Sequence, residues 1–179
     1  MRFASMRNLD ISNGERVGVS LFVQGCDRHC FNCFNPDTWD FNGGKEWTEE
    51  TKNKFIKLID RPYINRISVL GGEPLAEQNL DEVLSLIKEI RISFPEKTIW
   101  LYTGYKFEDL INGIHYPLDS EWEDKVLRQS IVKLCDVLVD GEYIDEQRDI
   151  TLKWRGSSNQ RVIDAKQSLA QNKIVLYCD

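Results

Sequence analysis

The sequence predicts an α/β protein built as a partial, open βα barrel with a mostly parallel sheet. Three observations predict it. Apolar runs of strand length alternate with helical periodicity, in the order strand, helix, strand, helix, strand, helix, strand. The strands are too few for a closed eight-stranded barrel. Four of them run straight into short segments of unusual composition, at the carboxyl edge where parallel α/β sheets bind ligands.

The first predicted strand is VSLFVQG, a run of strand formers ending in Gly25. A cysteine-rich loop follows directly. Residues 34–47, punctuated by Pro36 and the Gly43-Gly44 pair, read as a long loop. Thr48 then caps a helix over 49–60. Glu49 and Glu50 suit its first turn, and Phe55, Ile56 and Ile59 give it an apolar side. RISVL (66–70) is the second strand and runs into Gly71-Gly72-Glu73-Pro74. Leu80, Val83, Leu84, Ile87 and Ile90 recur at helical spacing within 79–94. KTIWLYTG (97–104) is the third strand. A short helix over 106–113, closed by Gly113, and a second over 120–134 follow. CDVLVDG (135–141) is the fourth strand. Residues 160–173 start extended and turn helical, and IVLYC (174–178) is a closing strand. There is no fixed-period repeat, low-complexity segment or linker, so residues 1–179 are expected to form one domain.

Composition bounds the function. Hydrophobic residues make up 41% and the net charge is −6. That acidic balance argues against a nucleic-acid binder with a broad basic surface. No apolar run approaches the roughly 20 residues of a membrane span. MRFASMRNLDISNGERVG carries no signal-peptide apolar region. A cytoplasmic protein with neither nucleic acid nor membrane as partner is expected. Five cysteines, three of them clustered, are not the pattern of a secreted disulfide framework.

The cluster is GCDRHCFNCFN, with Cys26, Cys30 and Cys33 spaced Cys-x3-Cys-x2-Cys. A structural zinc site needs four protein ligands. His29 lies between two of the cysteines, with little freedom to reach the same ion. Cys135 and Cys178 read as a small core residue and an inert terminal thiol. Iron–sulfur clusters are held by thiolates, usually four. Three thiolates on a four-iron cube leave one iron open, and an open position marks a catalytic metal. A helix would rise roughly 10 Å over this span, wide for three corners of one cluster, so a curled loop is expected.

Gly71 and Gly72 allow close backbone approach to a ligand, and the Glu73 carboxylate suits an ammonium group. A strand-to-helix turn accounts for these residues equally well. Thr103-Gly104 and Asp140-Gly141 end the third and fourth strands. Asp140 suits a ribose hydroxyl, the sulfonium region of a ligand or a cation, and equally a turn cap.

On these residues the chain resembles the radical S-adenosylmethionine superfamily. That resemblance implies a partial βα barrel in which Cys26, Cys30 and Cys33 hold one 4Fe–4S cluster. The amino and carboxylate groups of S-adenosylmethionine, the cosubstrate, would chelate the fourth iron. Gly71, Gly72 and Glu73 match the motif that holds the methionine amino group. The position before the third cysteine, often aromatic in the superfamily, is Asn32 here. Asn32, Cys33 and Phe34 are then expected near the adenine, with Thr103 and Asp140 as further contacts.

Six segments in order, DISNGERVGVSLFVQGC, CFNPDTW, GGEPL, WLYTGY, DVLVDGEY and WRGSSNQR, resemble the activating proteins of class III, anaerobic ribonucleoside-triphosphate reductase. The resemblance spans roughly residues 8 to 164. It implies a low-potential electron donor such as flavodoxin or ferredoxin, and reductive cleavage of S-adenosylmethionine to methionine and a 5′-deoxyadenosyl radical. That radical would take a hydrogen atom from a glycine of the partner reductase. The cofactor does the hard chemistry, and the protein supplies placement and tuning. Arg155, Ser157, Asn159, Gln160 and Arg161 are candidates for docking the partner or lining the site, or else form a solvated loop. Trp39, Phe41 and Trp47 shield the cluster loop or simply pack it. Three rivals stand beside this reading: an activator of another glycyl radical enzyme of the formate-lyase type, a small-molecule radical enzyme such as a deazapurine-forming synthase, and a non-enzymatic iron–sulfur or zinc protein.

Overall fold

In the computed structural model, which describes residues 1–111 and 122–178, the described residues form one eight-stranded sheet. The strands are β1 (Arg2–Asp10), β2 (Gly18–Val23), β3 (Lys45–Glu46), β4 (Arg66–Gly71), β5 (Thr98–Tyr102), β6 (Val137–Asp140), β7 (Arg161–Asp164) and β8 (Leu176–Cys178). Their order is β3-β1-β2-β4-β5-β6-β7-β8, open, with β3 and β8 at the edges. β2, β4, β5 and β6 run parallel, as the alternation predicts. The flanking strands are antiparallel, so the whole sheet is mixed.

The helices are α1 (Glu49–Ile59), α2 (Leu80–Ser93), α3 (Phe107–Ile111), α4 (Trp122–Leu134) and α5 (Ala165–Gln171). Thr48 caps α1 as expected, its Oγ1 accepting from the Thr51 amide at 3.3 Å. The predicted helix stop at Gly113 lies outside the described residues. Three departures stand out. β1 went unrecognised, because a register shift between Phe3 and Ser5 breaks the period of two that marks a strand. The expected loop over 34–47 holds a 3-10 turn at Pro36–Thr38 and the short β3. Cys135 does not open β6. It is buried just past α4, with its Sγ on the Ile131 carbonyl at 3.3 Å.

Strand alternation separates the two faces. Val19, Leu21 and Val23 of β2, Ile67 and Val69 of β4, and Ile99 and Leu101 of β5 pack into one core with Phe55, Val83, Ile87 and Ile131 from the helices. The alternate residues, among them Phe22, Leu70, Tyr102 and Val139, line a cavity on the other face. The described helices pack on one side of the sheet, against that core, and none of them lines the cavity.

Below the cavity lies a buried ion pair. Arg66, with no exposed surface, reaches the Asp10 carboxylate at 3.3 Å. Its Nη2 also donates to the Asp10 carbonyl at 2.7 Å, and its Nη1 to Ser68 Oγ at 2.7 Å and to the Asn13 carbonyl. The amides of Ser12 and Asn13 donate to Asp10 Oδ1 at 2.8 and 2.9 Å. This pair fixes the Ser12-Asn13 turn as the cavity floor. Burial raises the Asp10 carboxyl, but the Asn13 amide, the Asn13 and Ser20 side chains and the Ser12 amide outweigh it and hold the group down at about 2.

A carboxyl depressed on folding stabilises the fold above its unfolded pKa of about 3.9. That contribution is lost as pH falls toward about 2. Asp10→Asn should therefore cost about 3 kcal/mol at neutral pH, by leaving Arg66 buried without its counter-charge. It should also flatten the loss of stability between pH 4 and 2. Urea unfolding across that range measures both.

Candidate functional site

The loop after β2 is folded by its own backbone. Gly25 and Cys26 amides donate to the carbonyls of Thr38 and Trp39 at 2.8 and 3.1 Å. Gln24 Nε2 donates to the carbonyls of Asp37 and Asp40. His29 and Asn32 adopt left-handed backbone, φ 47° and 53°, which curls the chain as the cysteine spacing requires. The His29 ring stacks on Trp39, centroids 4.7 Å apart, and so serves packing.

Cys26, Cys30 and Cys33 all line one cavity of about 440 Å³. Among the described residues, no three His, Cys, Asp or Glu side chains converge on a point that a single metal ion would fill. Three thiols lining one cavity are a donor set of the kind that holds an iron–sulfur cluster. Burial pushes the Cys26 thiol up to about 11, against the Arg28 and His29 amides that favour its thiolate. Burial raises Cys30 too, opposed by the Tyr143 amide. The Asn35 amide donates to Cys33 Sγ at 3.4 Å. Thiols in such surroundings ionise when a metal takes them, with release of their protons.

The GGE loop meets this loop edge-on. The amides of Gly72 and Glu73 donate to the carbonyls of Val23 and Gly25 at 3.0 and 2.8 Å. A Cβ on Gly72 would stand 2.3 Å from the Gly25 carbonyl oxygen, so no larger residue fits. Glu73 is 1% exposed. Its Oε1 accepts from the Leu75 amide at 2.9 Å and Thr103 Oγ1 at 2.8 Å. Its Oε2 accepts from the Gly104 amide at 2.8 Å and lies 3.4 Å from Arg28 Nε. Burial outweighs these partners and leaves the carboxyl raised above its ordinary value. Both of its oxygens are occupied by the protein's own donors.

The other sequence candidates divide. Phe34, Gly71, Gly72, Glu73, Thr103 and Cys33 line the cavity with the other two cysteines. Asn32 turns its amide to Asp145 at 2.9 Å, while Phe34 packs on Tyr143 with centroids 5.0 Å apart. Asp140, 1% exposed, accepts from the Phe107 amide at 2.8 Å and from Arg161 Nε at 2.9 Å, and it does not line the cavity. Arg161 also grips Glu108 at 2.9 and 2.7 Å. Ser157 Oγ accepts from the Ile144 amide, and Asn159 Nδ2 donates to the Glu142 carbonyl. Arg155 and Gln160 do line the cavity. Trp47 packs edge-on against Phe3 and Phe55. Sequence reasoning missed Arg28, although a lone cation between two cysteines was a readable signal. It also missed Ser12 and Asn13, whose turn becomes the floor only through the fold.

A family model described as a 4Fe-4S single cluster domain matches residues 12–163. The chain is similar to proteins called anaerobic ribonucleoside-triphosphate reductase-activating protein. It is 37% identical to the one from Salmonella typhimurium, over 90% of this chain and 97% of the relative. It is 36% identical to the Escherichia coli K12 protein over the same shares. Against the Enterobacteria phage T4 protein the identity is 34%, over 90% of this chain and 93% of the relative. The chain belongs to this family of reductase-activating proteins. The matched span contains the three cavity cysteines, the GGE loop and the Thr103-Gly104 turn that closes on Glu73.

Gly72→Ala should lower stability by about 2 kcal/mol, since backbone faces backbone at the point of collision and cannot swing aside. Urea unfolding reads this. A midpoint equal to wild type would mean that the ends of β2 and β4 separate easily.

Proposed function

We propose that this member of the family activates anaerobic ribonucleoside-triphosphate reductase, by generating a glycyl radical on it through reductive cleavage of S-adenosylmethionine at one 4Fe–4S cluster. The observation that carries this reading is the set of three thiols sharing one cavity with the GGE loop. Cys135 is buried behind the sheet and Cys178 sits on the edge strand β8, and neither lines that cavity. Cys26, Cys30 and Cys33 would hold the cluster, which when bound supplies the low-potential electron and an iron open to the cosubstrate.

The chain's own residues then bind and orient. Gly71 and Gly72 bring backbone close to the methionine end of the cosubstrate, and Glu73 braces that edge. Thr103 stands beside them. Asn32, Cys33 and Phe34 frame the adenine side, with Phe34 the aromatic surface. Asp140 and Arg161 act one step back, holding the loop after β6 against α3. Ser157 and Asn159 tie that loop to the 149–160 segment, whose Arg155 and Gln160 face the cavity and meet the partner's glycine segment. No acid or base is required of the protein. The helix-free face serves the role of the open side of a radical S-adenosylmethionine partial barrel, with residues 1–179 acting as one domain.

A low-potential donor such as flavodoxin or ferredoxin would supply the electron. The reducing cytoplasm suits five cysteines that are all free. Among the described residues no helix is long and apolar enough to cross a membrane.

Anaerobic reconstitution with iron and sulfide, followed by an assay of 5′-deoxyadenosine, tests the cluster assignment. Cys26→Ala, Cys30→Ala and Cys33→Ala should each abolish cleavage of S-adenosylmethionine. Cys135→Ala and Cys178→Ala should retain it. Full cleavage by the Cys30→Ala protein would sink the assignment.

A further inference from the structure

Between the first two cavity cysteines stands Arg28, which also lines the cavity and has 19% of its side chain exposed. Its Nε lies 3.4 Å from Glu73 Oε2, and its Nη1 donates to Glu142 Oε1 at 2.6 Å. Its guanidinium carbon sits 4.0 Å from the centroid of the Tyr105 ring. Gly104 makes room for it: a Cβ there would lie 2.2 Å from Arg28 Cδ. One side chain rooted in the cysteine loop thus touches the loops after β4, β5 and β6.

The rest of the cysteine loop is anchored elsewhere. Gln24, Gly25 and Cys26 are tied to residues 37–40, and Asn32 to Asp145. The root of the loop also meets the GGE edge, through the Glu73 amide on the Gly25 carbonyl and through Asn79 Nδ2, which bridges the Gln24 and Glu73 carbonyls. Beyond that root, Arg28 carries the loop to the Glu73 carboxylate. A lysine carries the charge but lacks the planar fork that serves two carboxylates and the face that stacks on tyrosine.

We infer that Arg28 is a positioning residue that locks the cysteine loop onto the buried carboxylate of Glu73 and so sets where the three thiols stand relative to the GGE edge. The lock itself is made by the chain's own side chains. Its consequence for the cosubstrate rests on the proposed function.

Arg28→Gln and Arg28→Lys test it in the full chain, in two stages. Without iron, hydrogen exchange is followed at residues 26–33 and Gly104, and alkylation of Cys26 and Cys30 by iodoacetamide is timed against Cys135. Arg28→Gln should speed exchange and alkylation at the loop about tenfold or more, a local opening. Cys135 and the thermal midpoint should stay as in wild type, and Arg28→Lys should fall between. After anaerobic reconstitution, the change that S-adenosylmethionine makes in the reduced cluster's electron paramagnetic resonance spectrum is titrated. Arg28→Gln should need about 10- to 100-fold more cosubstrate, the usual cost of losing a residue that orients metal ligands, with partial rescue by lysine.

Wild-type exchange in Arg28→Gln overturns the inference. So does faster exchange across the whole sheet with a lowered midpoint, which marks a general loss of stability. A loosened loop with a wild-type titration overturns it as well. A loosened loop in a chain that takes up no cluster even as wild type leaves the lock standing and brings down the proposed function.

Discussion

A carboxylate shut away from water must be surrounded by partners, and Glu73 draws its partners from three separate loops. The Leu75 amide donates from its own loop, Thr103 and Gly104 donate from the end of β5, and the Arg28 guanidinium brings its charge from the cysteine loop. Removing one of these three donors leaves a buried oxygen short of a partner, which costs more than the bond it made. The geometry of the site is therefore specified at one side chain. The close backbone approach of Gly72 to Gly25 works to the same end, since it lets the ends of β2 and β4 meet without a side chain between them.

The opposite end of the cavity is built on the same principle with the charges exchanged. There a fully buried guanidinium, Arg66, is the group that needs partners, and Asp10, Ser68 and the Asn13 carbonyl supply them. Floor and rim are each held by a buried ion inside a hydrogen-bonded cage, while the helix-covered face is held by apolar packing. The cavity face carries a smaller apolar cluster of Trp100, Val137, Val139 and Val162, packed beside Trp154. The cavity can be lined by cysteines, glycines and polar groups that would weaken an ordinary core.

Much of this was legible in the sequence, for identifiable reasons. The parallel core and its helices showed because alternation and helical spacing are strong where one face is buried, as in β2 and α2. The cysteine loop, GGE and TGY segments announced themselves by residue types that packing does not demand. β1 stayed hidden because a bulge broke its period. A strand-end aspartate has the place of a ligand contact or of a turn cap, and in the fold the oxygens of Asp140 are taken by the Phe107 amide and by Arg161, twenty-one residues on. Glu73 likewise matched a ligand-binding motif, whereas its oxygens are taken by protein donors that only tertiary structure brings near. Sequence marks which residues are unusual; the partners that occupy them are set by long-range contacts.

The most direct test of the account is made under anaerobic conditions. The chain is reconstituted with iron and sulfide, reduced, and given S-adenosylmethionine with and without an anaerobic ribonucleoside-triphosphate reductase, while the electron paramagnetic resonance spectrum is recorded and 5′-deoxyadenosine is assayed. The account predicts a glycyl radical doublet on the reductase, with deoxyadenosine formed alongside it. A cluster signal untouched by S-adenosylmethionine, with no deoxyadenosine, would contradict it.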